Sequence, residues 1–245
     1  MSKIFVVASG KGGVGKSTVT ACLAKVLAAM KKRVLIIDMD TGLAGLDVMM
    51  GVGERNVFSW MDIMEENCKI IDAIIAVNNN LGLIAAPNSY INNITKEDFR
   101  KAMSGILEMN FDFIFFDAPA GLGSGLQLAS TFADRALIVT TSDDIATRAA
   151  RNVRETLEEL GVKQSRLIIN RFRRKPTIKG DYLNIDASID ASTVQLIGII
   201  PEDYGIQHIS MNGRLLKTKK GTGAAFTRIA KRLCGEMVEL EIKKF

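Results

Sequence analysis

The chain has 245 residues, 47% of them hydrophobic and 24% charged, which excludes intrinsic disorder and a low-complexity scaffold and leaves ample material for a core. Its 32 basic and 27 acidic residues leave a formal charge of +5, which permits an anionic partner (nucleotide, nucleic acid or acidic membrane) without demanding one. A single histidine, His208, excludes multi-histidine zinc sites and argues against a Ser-His-Asp hydrolase, and Cys22, Cys68 and Cys234 form no C-x-x-C pair for zinc, iron–sulfur or dithiol chemistry.

Short apolar runs separated by helical stretches recur along the chain: Ile4–Ala8, Val34–Ile37, Leu81–Ala86, Phe113–Phe116, Ala136–Thr140, Leu167–Ile169 and Leu196–Ile200. Strands buried on both faces lose polar alternation, so these seven runs predict an α/β fold: a mainly parallel sheet flanked by helices on both faces, in one domain over residues 1–245. Helices are predicted from Gly15 to about Met30, from Lys96 to about Met109 after a Thr95 cap, and from about Asp143 to Leu160 with Gly161 as the stop. A last helix begins near Thr222 and places Phe226, Ile229, Leu233, Met237 and Leu240 on one stripe. Phe172 to Ser192 reads as an excursion from the sheet. No apolar run approaches the ~20 residues of a membrane span, and Ile4–Ala8 is too short for a signal peptide, so a cytoplasmic protein with buried thiols is expected.

Gly10-Lys11-Gly12-Gly13-Val14-Gly15-Lys16-Ser17 satisfies G-x-x-x-x-G-K-[ST] between a predicted strand and a predicted helix. Such a loop turns backbone N–H groups toward phosphate oxygens, the helix N-terminus adds positive dipole, and Lys16 reaches the β- and γ-phosphates. Ser17 is the expected Mg2+ ligand, and Thr18 supports the α-phosphate. Asp117, closing Phe113–Phe116, has the form of an aspartate in the Mg2+ shell, followed by the turn Ala118-Pro119-Ala120-Gly121. Asp38 and Asp40 end the second run, where parallel α/β sheets bind ligands. Asp38 suits a magnesium-bound water, and Asp40 suits orienting or deprotonating the attacking water. ATP and Mg2+ are the expected cofactors.

The lysine directly after the first glycine, in Lys11-Gly12-Gly13-Val14-Gly15-Lys16-Ser17-Thr18, resembles the deviant Walker A of the MinD/ParA family, which belongs to the SIMIBI class of P-loop NTPases. Met1 to Asp47 most resembles the MinD branch, through Asp38-Met39-Asp40-Thr41-Gly42-Leu43 and Leu46-Asp47. Asp117-Ala118-Pro119-Ala120-Gly121, Asn170-Arg171 and Gly198-Ile199-Ile200-Pro201-Glu202-Asp203 follow in the family's order. The resemblance implies an ATP-dependent homodimer in which Lys11 reaches the phosphates bound by the opposite subunit, with Asn170, Pro201, Glu202 and Asp203 around the adenine. It also implies slow hydrolysis until a protein activator or effector completes the site.

The chain departs from the MinD pattern in two places. Its tail, Glu241-Ile242-Lys243-Lys244-Phe245, follows Glu236 and Glu239, against the basic bias of membrane-surface helices. The segment Thr141-Ser142-Asp143-Asp144-Ile145-Ala146-Thr147-Arg148 lacks the Asn-Pro-Glu-type run common in MinD, which argues against a shared activator interface. Two readings therefore stand: a MinD-like spatial regulator of division or another polar structure, flagellar number included, with peripheral membrane association; or a ParA-like ATPase binding DNA nonspecifically. The second draws on Lys163–Lys179 and Arg214–Arg232, each with seven basic residues and no acid. An iron–sulfur carrier of related sequence would need paired cysteines, and a related tyrosine kinase a C-terminal tyrosine cluster. Neither is present.

Overall fold

The structure is a computed structural model that describes residues 2–41, 45–55, 57–88, 94–180, 182–206 and 221–240. Gly42 and Leu43, His208, the 214–220 half of the second basic stretch and the 241–245 tail lie outside them.

Eight strands form one sheet: β1 (Lys3–Ala8), β2 (Val34–Asp38), β3 (Ile75–Asn78), β4 (Leu81–Ile84), β5 (Phe113–Asp117), β6 (Arg135–Thr140), β7 (Gln164–Phe172) and β8 (Leu196–Pro201). Their order is β3-β4-β2-β5-β1-β6-β7-β8, every pairing parallel except that of β3 with β4. The seven predicted strands are all present. The eighth, β3, is a four-residue antiparallel edge strand in which Ala76 and Asn78 face water; its apolar run, Ala73 to Val77, begins in a short helix over Ile70–Ala73 and so does not by itself mark a strand.

Because side chains alternate along a strand, each run supplies two cores. Phe5 and Val7 of β1, with Val34, Ile36, Phe113 and Phe115, pack beneath α1 (Lys16–Ala29), α2 (Leu46–Met50) and α10 (Gly221–Cys234). Ile4, Val6 and Ala8, with Leu35, Ile37, Ile114 and Phe116, pack on the opposite side against α3 (Trp60–Met64), α4 (Ile70–Ala73), α5 (Lys96–Met103), α6 (Ser124–Ala129) and α7 (Asp144–Glu159). Trp60 and Phe99 meet edge to face there, each with almost no exposed surface, and burying such a ring contributes roughly 1.5–3 kcal/mol.

The helices are trimmed relative to expectation. Thr95 caps α5 through its hydroxyl, but the α-helix ends at Met103 and continues as a 3-10 turn over Ser104–Glu108. α10 stops at Cys234, and Gly235 turns the chain with φ 96°, so Met237 is fully exposed rather than part of the apolar stripe. The excursion between Phe172 and Ser192 holds two short helices, α8 (Arg174–Lys179) and α9 (Ile185–Ser192). Of the cysteines only Cys22 is buried; Cys68 and Cys234 are half-buried.

The sheet order places the site. From β1 the chain crosses to β2 on one side, and from β5 it crosses over β1 to β6 on the other, so connections diverge at the C-terminal end of β1. Such a divergence opens a crevice there, and the glycine loop, Asp38 and Asp117 all sit at its edge.

Candidate functional site

Strand register brings the carboxylates together. Asp117 is opposite both Val7 and Asp38 in the two ladders of β5, which places the ends of β1, β5 and β2 side by side. Main-chain bonds continue past the strands, from Ala118 N to Val7 O (3.0 Å), Gly121 N to Ser9 O (2.9 Å) and Met39 N to Asp117 O (3.0 Å).

Asp117 is fully buried and saturated with donors: Lys16 Nζ (2.7 Å) and Ser17 Oγ (2.6 Å) on Oδ2, and Thr20 Oγ1 (2.5 Å) on Oδ1. All three come from the first turns of α1. Thr20 was not singled out in the sequence, although it lies four residues after Lys16 and therefore on the same helix face. Thr18 is half-buried and takes no part in this cluster.

Asp38 is buried, and its Oδ1 accepts the Asp40 N–H at 3.0 Å, while Oδ2 accepts the Leu46 N–H at 3.4 Å. Burial, then the neighbouring Asp117 charge, pushes its carboxyl up to about 7 against the lowering effect of those amides and Lys16. Asp40 is half-buried, and burial raises its carboxyl as well. It lines a cleft of about 520 Å³ with Trp60, Pro119, Gly121 and Ser124, so the predicted switch turn forms one wall. The indole of Trp60 donates to the Asp38 carbonyl at 2.9 Å, a support that no motif announces.

The glycine loop has its backbone shape for two reasons. Gly13 and Gly15 are left-handed, with φ 78° and 87°. Close approach accounts for others: a Cβ at Gly10 would lie 2.4 Å from the Ala149 carbonyl oxygen of α7, and one at Gly15 would lie 2.5 Å from Asn170 Nδ2. Asn170 donates to the Val14 carbonyl at 2.8 Å and so ties the loop to β7. Among the described residues, the loop N–H groups of Gly12, Gly13 and Gly15 have no hydrogen-bond acceptor, which leaves these donors available to an anion.

Arg171, Glu202 and Lys11 line a second cleft of about 260 Å³ beside Gly12, Gly13 and Val14. Glu202 pairs with Arg171 (3.1 Å) and with Arg173. These bonds outweigh burial and hold its carboxyl below the usual range. Asp203 accepts Thr222 Oγ1 at 2.8 Å and the Gly205 N–H at 2.9 Å, so its carboxylate is engaged in joining Pro201 and the turn after β8 to α10.

The residues fit a magnesium nucleotide. Unpaired amides and Lys16 suit phosphates, while Ser17, Asp117 and Asp38 offer hard oxygens. Among the described residues no three His, Cys, Asp or Glu side chains form an all-protein cage, and Mg2+ bound through phosphates and waters needs none. Fold and site together define a P-loop nucleotide-binding protein.

Comparison with known proteins agrees. The profile of the CobQ/CobB/MinD/ParA nucleotide binding domain matches residues 5–216, and the chain belongs to the MinD/ParA family. It is 35% identical to the septum site-determining protein MinD of Helicobacter pylori over 98% of this chain and 93% of that protein, and 34% identical to MinD of Bacillus subtilis over 99% and 92%. The structure superposes on the Aquifex aeolicus MinC:MinD cell division complex with a TM-score of 0.90 at 32% identity, covering 98% of each chain. With Pyrococcus horikoshii MinD complexed with Mg-ADP the TM-score is 0.80 at 28% identity, over 95% of this chain and 96% of that one.

Proposed function

We propose that residues 1–245 form one MinD-like ATPase domain that dimerises on binding Mg-ATP, acts as a spatial regulator of cell division, and is reset by hydrolysis. The observation that carries the reading is the Lys16–Ser17–Asp117–Asp38 cluster under a glycine loop that also bears Lys11. The relatives named for septum placement span nearly the whole chain and support the same reading.

In this reading the N–H groups of Gly10 to Thr18 cradle the phosphates. Lys16 moves its charge from Asp117 to the β- and γ-oxygens, and Ser17, Asp117 and Asp38 hold Mg2+ and its waters. The metal supplies charge neutralisation at the phosphates when bound. Asp40, whose raised proton affinity suits a base, orients the attacking water and takes its proton. Lys11 of one subunit compensates charge on the phosphates of the other, as an arginine finger does elsewhere. Asn170, Pro201, Glu202 and Asp203 border the adenine.

A protein effector completes the switch, the protein is cytoplasmic, and peripheral attachment to the inner face of the membrane is a second location that truncation of the tail tests. Among the described residues no helix is long and apolar enough to cross a membrane. The DNA-binding alternative is less favoured because two of the seven bases of Lys163–Lys179, Arg171 and Arg173, are already paired with Glu202. A fluorescent fusion and its truncation after Gly235 test the assignment. Membrane or polar localisation lost on truncation supports it; nucleoid coating overturns it.

A further inference from the structure

Lys11 is engaged within its own subunit. Its Nζ lies 3.3 Å from Asp143 Oδ1, joining the glycine loop to the start of α7. Asp143 is the N-cap of that helix: Oδ1 also accepts the Ala146 N–H at 3.0 Å, and Oδ2 accepts Thr141 Oγ1 at 2.5 Å. The carboxylate is thus fixed by its own helix and cannot follow the lysine. Its proton affinity agrees: burial would raise it, but the Thr141, Ala146 and Lys11 interactions more than offset that and hold it below the usual range. The base of the loop is equally fixed, since Gly10 packs directly against the Ala149 carbonyl of α7. Only the Lys11 side chain, 45% exposed, is free to choose between Asp143 and another anion.

We propose that Asp143 is an intramolecular holder of Lys11 that competes with the phosphates bound by the opposite subunit, and so sets how readily the Mg-ATP dimer forms. The inference rests on the dimer reading above, in which Lys11 acts across the interface. In a two-fold dimer both contacts must be given up. An exposed pair of this kind is worth a factor of about 1.4 to 5, so releasing two changes the dimerisation constant about 2- to 30-fold. Asp143 is a positioning residue, acting only through Lys11.

The test is sedimentation of the full chain with Mg-AMPPNP, which removes hydrolysis from the measurement. Asp143→Asn and Asp143→Ser both retain a good helix cap without the charge, and unchanged thermal melting verifies that the fold is kept. Each is expected to tighten dimerisation about 2- to 30-fold while leaving nucleotide affinity in a Lys11→Ala background unchanged. Unchanged or weaker dimerisation in both variants, with Lys11→Ala still monomeric, overturns the holding role alone. If Lys11→Ala dimerises like the wild type, the reading of Lys11 across the interface fails, and the holding role fails with it.

Discussion

Lys16 Nζ and Asp117 Oδ2 form a 2.7 Å ion pair in which the lysine side chain is 6% exposed and the aspartate not at all. Lys16 therefore holds its charge against a buried carboxylate at the end of β5, and the pair is part of the folded structure in its own right. Breaking a buried pair from one side leaves the other charge uncompensated, at a cost of about 3 kcal/mol. Lys16→Ala is expected to abolish Mg-ATP binding and to lower stability in urea by about that amount. Adding Asp117→Asn should recover part of the stability and none of the binding, as calorimetric titration and paired unfolding curves would show.

Asp40 lies at the cleft wall rather than in the buried cluster, so its removal should spare the fold and the phosphate contacts. Asp40→Ala is expected to bind Mg-ATP, accumulate as dimer, and turn over about 10²- to 10⁴-fold more slowly. Normal hydrolysis by the variant would remove Asp40 from the chemistry.

The raised carboxyl of Asp38 makes a pH prediction of definite sign. A group at about 7 in the folded protein and near 3.8 in the unfolded chain favours the folded state when protonated, so its contribution declines as pH rises from about 4 to 7. Asp38→Asn should stabilise the nucleotide-free protein at pH 8 by ~1–3 kcal/mol, with the gain fading toward pH 4. Mg-ATP turnover should fall in the same variant. A stability gain independent of pH would show that ionisation of Asp38 is not its source.

Thiol chemistry separates the three cysteines. Burial within α1 pushes the Cys22 thiol up to about 12, while Cys68 and Cys234 are half-buried. At pH 8, iodoacetamide should label Cys68 and Cys234 in the native protein and reach Cys22 only at the rate of unfolding, a difference that peptide mass mapping would resolve.

Most of the frame was legible because each central strand is apolar on both faces and the glycine loop carries its own context, with Asp38 and Asp117 at strand ends. Four kinds of information were not. Thr20 and Trp60 act through tertiary proximity to Asp117 and Asp38, and a threonine or tryptophan in an apolar stretch looks like packing. The β3 edge, half solvated over four residues, is too short to declare a period. The stripe beyond Leu233 continued on paper because helical spacing says nothing about the left-handed turn at Gly235. Lys11 was legible as an unusual lysine, but its contact with Asp143 spans 132 positions and depends on Gly10 lying against α7.

Trp60, whose indole nitrogen holds the Asp38 carbonyl, is also the only tryptophan in the chain. The protein thus carries a single indole, sealed from water and one hydrogen bond from the strand end that bears Asp38. Its emission wavelength and quenching by acrylamide should follow nucleotide loading and subunit closure in real time, with no dye attached and no second tryptophan to subtract.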